Sequence, residues 1–184
     1  MKYKVAALVG SLRKESLNKK VAKNMIRLAP DNLEMEIVEI GHLPFYNEDL
    51  DTENPPKEWA DFRNKMKEYD GVFLFTPEYN RSISAVLKNA IDVGSRPYAK
   101  NVWKGKPTAV ASVSPSSLGG TVANHTLRQS LVSLNMPVMQ QPEIYIGNAH
   151  QLFDEDGKVV EKSETFFSKV INAYANWVHQ ILKV

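Results

Sequence analysis

The chain of 184 residues contains no cysteine. That absence excludes disulfide staples, thiolate nucleophiles, Cys-ligated zinc and Cys-ligated iron–sulfur clusters, and it points to a reducing, cytoplasmic setting. Long hydrophobic runs are missing too. The longest, residues 5–9 and 72–75, fall far short of the roughly 20 residues of a membrane span, and the first is too short for the apolar stretch of a signal peptide. Neither charge sign dominates: 23 Lys and Arg against 21 Asp and Glu leave a formal +2 spread along the chain, which argues against nucleic acid as the main partner. Hydrophobic residues at 43% and charged residues at 24% lie near globular averages. Disorder, collagen and coiled coil are therefore poor readings, and one soluble domain over residues 1–184 is expected.

Hydrolase and metal signatures are also lacking. There is no G-x-S-x-G elbow and no thiol to act as nucleophile. His42, His125, His150 and His179 stand far apart, with no H-E-x-x-H pair, so no metal is expected. The run Asp154-Glu155-Asp156-Gly157 fails the EF-hand spacing and reads as a turn.

What is present alternates. The run from Tyr3 to Val9 ends at Gly10-Ser11, the pattern of a buried strand entering a tight turn. Asn18 opens an amphipathic helix carrying Val21, Ala22, Met25, Ile26 and Ala29, which Pro30 stops. Met35, Ile37 and Ile40 suit a second strand, followed by a polar connection from Gly41 to Pro56 whose length suggests function. Trp59, Phe62, Met66 and Tyr69 form one face of a second helix, and Val72 to Phe75 a third strand. A loop from Thr76 to Arg81 leads to a helix near Ser82 to Val93, and Val110 to Val113 gives a fourth strand. A helix starts at Gly119-Gly120, Met136 to Val138 and Ile144 to Ile146 read as parts of an interrupted fifth strand, and Glu161 to Leu182 is a closing helix. Five short apolar strands alternating with five helices predict an α/β fold with a mainly parallel sheet covered on both faces. Ligands in such folds sit beyond the carboxyl ends of the strands, which directs attention to three loops.

The first loop, Gly10 to Asn18, offers the Ser11 and Ser16 hydroxyls, the Arg13 guanidinium, the Asn18 amide and the free N–H groups of a helix start. This donor set suits a phosphate. Neither G-x-G-x-x-G nor a Walker loop is present, and hydroxyls in place of extra glycines fit a terminal phosphomonoester; the alternative is a polar turn with Ser16 or Asn18 as the helix cap. The second, Thr76-Pro77-Glu78-Tyr79-Asn80-Arg81-Ser82, could lay its backbone along the edge of a flat heterocycle with Tyr79 lending an aromatic surface, or could be a turn into a helix capped by Ser82. The third, Ser114-Pro115-Ser116-Ser117-Leu118-Gly119-Gly120, could line the other side of the same crevice.

These segments resemble the NAD(P)H-dependent FMN reductase family. The first loop is similar to its phosphate loop, G-S-x-R-x-x-S-x-N. Thr76 to Asn80 with Ser82, then residues 87–92 and Ser95-Arg96-Pro97, are similar to its most specific segment, and Ser114 with Gly119-Gly120 to its third loop. Ser84-Ala85, Val93 and Ser116 depart from the residues common there. The resemblance implies a flavodoxin-like three-layer sandwich with sheet order 2-1-3-4-5 and tightly held FMN. It also implies NADPH or NADH as donor, with quinones, azo compounds, flavins or chromate as small-molecule acceptors served in ping-pong order. By carry-over, Ser11, Arg13, Ser16 and Asn18 take the FMN phosphate, Pro77, Glu78, Tyr79, Asn80 and Ser82 the ring edge, and Ser114, Ser117, Gly119 and Gly120 flank the ring. No protein side chain is expected to be catalytic, since flavin N5 carries the chemistry. A homodimer or homotetramer is implied, through the helix from Ser82 to Val93 and the region of Arg128, Glu143 and Tyr145. The competing readings are a flavodoxin-type electron carrier, which the net charge of +2 disfavours because such carriers are strongly acidic, and a plain nucleotide-binding domain.

Overall fold

The computed structural model describes residues 1–183. Five strands, β1 (Tyr3–Val9), β2 (Leu33–Ile37), β3 (Gly71–Thr76), β4 (Thr108–Val113) and β5 (Ile144–Ile146), form one sheet in the order β2-β1-β3-β4-β5. Every pairing is parallel. Five helices connect or follow them: α1 (Leu17–Arg27), α2 (Lys57–Lys67), α3 (Ala85–Gly94), α4 (Thr121–Ser133) and α5 (Glu161–Leu182). This is the expected three-layer flavodoxin-like arrangement, whose strand order reverses beside β1.

Side-chain alternation sorts the strands between two cores. Val5, Ala7, Val9, Phe73, Phe75, Ala109, Ala111 and Val113 point to one face, where Val21 and Met25 of α1 and Phe167, Val170 and Tyr174 of α5 cover them. Ala6, Leu8, Val72, Leu74 and Val110 point to the other, under Trp59 and Phe62 of α2, Leu87 and Ile91 of α3, and Leu127 and Leu131 of α4. Because β3 and β4 are buried throughout, their sequences do not alternate and are mostly apolar, with the polar residues Thr76, Thr108 and Ser112 buried among them.

Boundaries differ from expectation in three places. The second strand stops at Ile37, although the Val38 N–H still donates to Ala7 O at 3.0 Å, and Ile40 is buried outside it. Residues 136–138 do not form a strand. They make a single bridge beside β4, Thr108 N–H to Pro137 O and Met139 N–H to Thr108 O, because Pro137 has no N–H to extend the ladder. The third helix begins at Ala85 and not near Ser82, since Ser82 is held in a tight turn by Tyr79.

The long connection before α2, expected to be functional on length alone, is anchored at several points. Asn89 accepts from Tyr46 N–H at 2.8 Å and donates to Leu43 O and Pro44 O at 3.1 and 3.0 Å. Trp59 Nε1 donates to Pro44 O, and Arg63 closes a two-pronged ion pair on Asp51 at 2.8 and 2.9 Å.

At the end of α3, Trp103 lies directly across Gly94. A Cβ added there would sit 2.4 Å from Trp103 Cζ2, and that indole is 1% exposed and fixed by its N–H to Ile91 O. Gly94→Ala is therefore expected to cost about 1–3 kcal/mol through overpacking, against the roughly 1 kcal/mol that alanine gains in helix propensity. A urea titration showing a higher midpoint would refute this.

Candidate functional site

The carboxyl ends of β1, β3 and β4 deliver the three loops to one edge of the sheet, and two adjoining cavities open there. The smaller, about 240 Å³, is lined from the first loop by Ser11, Arg13, Ser16 and Asn18, from the second by Pro77, Glu78 and Tyr79, and from the third by Ser114 and Pro115. The larger, about 590 Å³, shares Ser11, Arg13 and Tyr79 with it and extends toward α3.

Ser16 is the cap of α1: its Oγ accepts the Lys19 N–H at 3.1 Å, and the side chain is buried. The hydroxyl proton remains available to a ligand. The N–H groups of Leu17 and Asn18, one turn from any intrahelical acceptor, face the same end, and the first turn of α1 carries no acidic residue to neutralise its positive dipole. Arg13 is exposed and pairs with no carboxylate among the described residues, whereas nearby Lys19 and Lys20 are tied to Glu39 and Glu15. Asn18 is 4% exposed. Its amide nitrogen reaches Val113 O at 3.5 Å, and its Oδ1 has no partner among the described residues. A buried acceptor without a donor is costly, and a ligand hydroxyl would satisfy it once the amide, whose oxygen is covered in this structure, turns toward the cavity.

The second loop is a two-residue reversal. Tyr79 and Ser82 exchange both backbone hydrogen bonds, at 3.0 and 2.9 Å, and Asn80 and Arg81 both lie in the left-handed region, φ 50° and 63°. Two successive positive φ values define a type I′ turn, which asparagine accepts readily and arginine does not. The turn lifts Tyr79 to the cavity mouth, half exposed, and leaves Asn80 and Ser82 outside the lining of both cavities.

Glu78 contributes in a way that sequence reasoning missed. Helix α4 is preceded by Gly120 and has no side-chain cap of its own. The Glu78 carboxylate supplies one from the neighbouring loop, accepting the Ala123 N–H at 3.1 Å while its other oxygen meets Arg81 at 3.2 Å. The carboxylate is thus spent on holding the second loop to α4, and only the backbone of Glu78 remains to meet a ligand. Glu78→Ala is expected to lower stability by about 1 kcal/mol, the worth of a lost helix cap, with Glu78→Gln recovering part of it. Equal thermal midpoints for all three proteins would remove that role.

In the third loop Ser114 alone of the expected residues lines either of these two cavities. Gly119 and Gly120 are buried with φ 62° and 71°. A Cβ on Gly119 would strike the backbone of residues 145–147, and one on Gly120 would approach Ser112. They let the chain fold tightly onto β5 and into α4, and Ser117, whose carbonyl packs on Gly147, lies on that same far side. Asn124 completes the brace, donating toward Val110 O, Ser112 Oγ and Ile144 O and accepting from Arg128 Nε at 2.9 Å. Arg128 also donates to Met139 O, so its guanidinium is engaged within the chain. Tyr145 bonds Glu143 at 2.8 Å and His125 at 3.0 Å on the exposed surface, and burial first, then the Glu143 carboxylate, raises its hydroxyl pKa.

Among the described residues, no group of histidine and carboxylate side chains could hold a metal, and no helix is long and apolar enough to cross a membrane. The arrangement is instead a phosphate grip beside an apolar slot. Residues that sequence reasoning missed are mostly in that slot, Leu12 and Phe45 among them. Their signal was a large apolar side chain in an otherwise polar loop, 61% and 75% exposed respectively.

Comparison with known proteins agrees with this geometry. The model of the family described as NADPH-dependent FMN reductase matches residues 3–151. A quinone reductase of Pseudomonas putida is 55% identical over 96% of this chain and 95% of its own. A 2-hydroxy-1,4-benzoquinone reductase of Burkholderia is 39% identical over 97% of each. Among solved structures, the flavoenzyme NAD(P)H:(acceptor) oxidoreductase FerB of Paracoccus denitrificans superposes with a TM-score of 0.90 at 39% identity, covering 97% of this chain and 98% of that one.

Proposed function

The chain belongs to the NADPH-dependent FMN reductase family, and from that premise we propose that it holds FMN across the three loops, oxidises NADPH or NADH, and delivers the electrons to quinones. Azo compounds, free flavins and chromate are further acceptors under this reading. The observation that carries it is the pairing, in one cavity, of a carboxylate-free Arg13 at a helix N-terminus with the unsatisfied buried acceptor Asn18 Oδ1. The first wants an anion and the second a hydroxyl, which a phosphorylated sugar-alcohol chain supplies side by side.

Arg13, Ser11, the Ser16 hydroxyl and the α1 N–H groups would hold the phosphate. Asn18 serves a ribityl hydroxyl better than a phosphate oxygen, because its free atom is an acceptor. The Pro77–Tyr79 backbone and Ser114 would meet the ring. FMN, when bound, supplies hydride chemistry at its N5 position, so the chain needs no acid–base pair of its own. Its task is to fix the ring with loops braced by Glu78 and Asn124, and to leave one face open. Donor and acceptor then use that face in turn, a ping-pong order. We place the protein in the cytoplasm, for which the lack of cysteine is the support, and assign it to a homodimer or homotetramer built on α3, beside which Phe45 is exposed.

The test is direct: purify the protein, record a flavin spectrum, add NADPH or NADH without oxygen, then add a quinone. Bleaching followed by recovery is expected. A colourless protein that binds no added FMN would end the reading, and bound flavin that neither nucleotide bleaches would make the protein a carrier.

A further inference from the structure

Ser84 immediately precedes α3, extended at φ −69° and ψ 146°, the position from which a serine ordinarily turns its oxygen onto an early N–H of the helix. It makes no such bond. The residue is 3% exposed, and its Oγ has no hydrogen-bond partner among the described residues. The hydroxyl is turned toward the exit of β1, where a Cβ built on Gly10 would lie 2.7 Å from it. Only the missing side chain of Gly10 gives it room. An unpaired hydroxyl in a protein interior is unfavourable, and native structures retain few without a reason.

Gly10 and Ser84 both line the larger cavity. Leu12, Leu43, Phe45 and Val86 make most of its remaining wall apolar. Asn89 also borders it, but its amide is fully committed to Tyr46 N–H, Leu43 O and Pro44 O. Away from the edge shared with the smaller cavity, Ser84 is therefore the one uncommitted polar side chain on an apolar surface.

We propose that this cavity is the acceptor subsite, that it takes the flat ring of a quinone, and that Ser84 Oγ–H, covered beside Gly10 in the structure, rotates about its Cα–Cβ bond to donate a hydrogen bond to one quinone carbonyl. The inference rests on the reductase reading above and names the acceptor class that fits the site. Chromate, an inorganic oxyanion, would leave the apolar wall unused and its own charge poorly solvated there, so it would meet the flavin outside this cavity. The overall change balances as NAD(P)H, a proton and the quinone giving NAD(P)+ and the hydroquinone. Ser84 orients the carbonyl and gives up no proton.

The experiment uses the FMN-loaded, oxidised protein and two non-quinone probes measured by calorimetry: 1-tetralone, a fused bicycle with one carbonyl, and tetralin, the same bicycle without it. Tetralone is expected to bind about threefold to tenfold more tightly than tetralin, the span of one neutral hydrogen bond. Ser84→Ala should bring that ratio to about one and raise the KM for 1,4-naphthoquinone by a similar factor. If Ser84 is merely structural, Ser84→Ala raises the thermal midpoint by removing an unpaired hydroxyl and leaves the ratio where it was, which overturns the inference. Naphthoquinone turnover without any tetralone binding overturns it as well, as when a second copy of the chain fills the cavity. A native protein that shows the tetralone preference but never reduces naphthoquinone upholds the carbonyl site and strikes the reductase reading instead.

Discussion

Asp51→Ala is expected to lose about 3–5 kcal/mol of folding stability, the cost of leaving one member of a buried ion pair without its partner. The side chains of Arg63 and Asp51 are 9% and 5% exposed and meet through two parallel bonds of 2.8 and 2.9 Å. Removing the carboxylate leaves the guanidinium with a single bond, Nε to Val93 O, and the face of Trp59 at 5.8 Å. Neither neutralises it. Tyr46 loses the acceptor of its hydroxyl in the same step. For a domain of this size the loss corresponds to a fall in Tm of roughly 6–20 °C. The double variant Asp51→Ala, Arg63→Met should be markedly more stable than Asp51→Ala alone, because no unpaired charge is then buried. Denaturant midpoints for the two single variants and the double decide it, and additive losses would show that the pair contributes through packing only. The same change reaches the site, since the connection that Asp51 anchors carries Leu43 and Phe45 of the larger cavity.

That connection shows where reading the sequence stops. The core strands β1 and β3 are legible as apolar runs ended by Gly10 and Pro77, because a strand buried on both faces leaves a purely local trace. Arg63, Asp51 and Asn89 leave none. Their partners lie many residues away, and a charge in a sequence does not announce that it will be buried. The turn at Asn80-Arg81 was obscured for a related reason: its positive φ values usually call for glycine, and here the exchanged bonds of Tyr79 and Ser82 hold an arginine in that conformation. The helix therefore starts at Ala85, three residues after the Ser82 at which its pattern begins in the sequence.

The candidate site divides in the same way. The first loop was legible because a serine cap, an arginine and a helix start occur within a few residues, and local chemistry is what a sequence displays. The third loop was less so. Spacing shows that Ser117, Gly119 and Gly120 belong to it, but which side faces the cavity depends on Gly147 and β5, against which Ser117 and Gly119 pack, and on Ser112 and Glu78, beside which Gly120 lies. Two buried atoms without partners, Asn18 Oδ1 and Ser84 Oγ, could be found only from the fold, and each borders one of the two cavities.

Arg13→Ala is expected to weaken FMN binding by about 1.5–3 kcal/mol, the worth of a hydrogen bond to a charged group, which is roughly a tenfold to hundredfold rise in Kd. Solvent access to Arg13 places the effect toward the lower end. A structural role for Arg13 would weaken any flavin, so the decisive comparison is riboflavin, which has the same ring and sugar chain but no phosphate. Its affinity should be the same for both proteins. Arg13→Lys should fall between them for FMN, because an ammonium keeps the charge and loses the planar fork that matches two phosphate oxygens. Added salt should weaken FMN binding more steeply in the native protein than in Arg13→Ala, since a partly exposed ion pair is screened. Fluorescence titration of the apoprotein with each flavin measures all of this. An equal loss for riboflavin would move Arg13 from the phosphate to the shape of the loop, and unchanged FMN affinity would take it out of the site, leaving the Ser16 hydroxyl and the N-terminus of α1 to hold the anion without it.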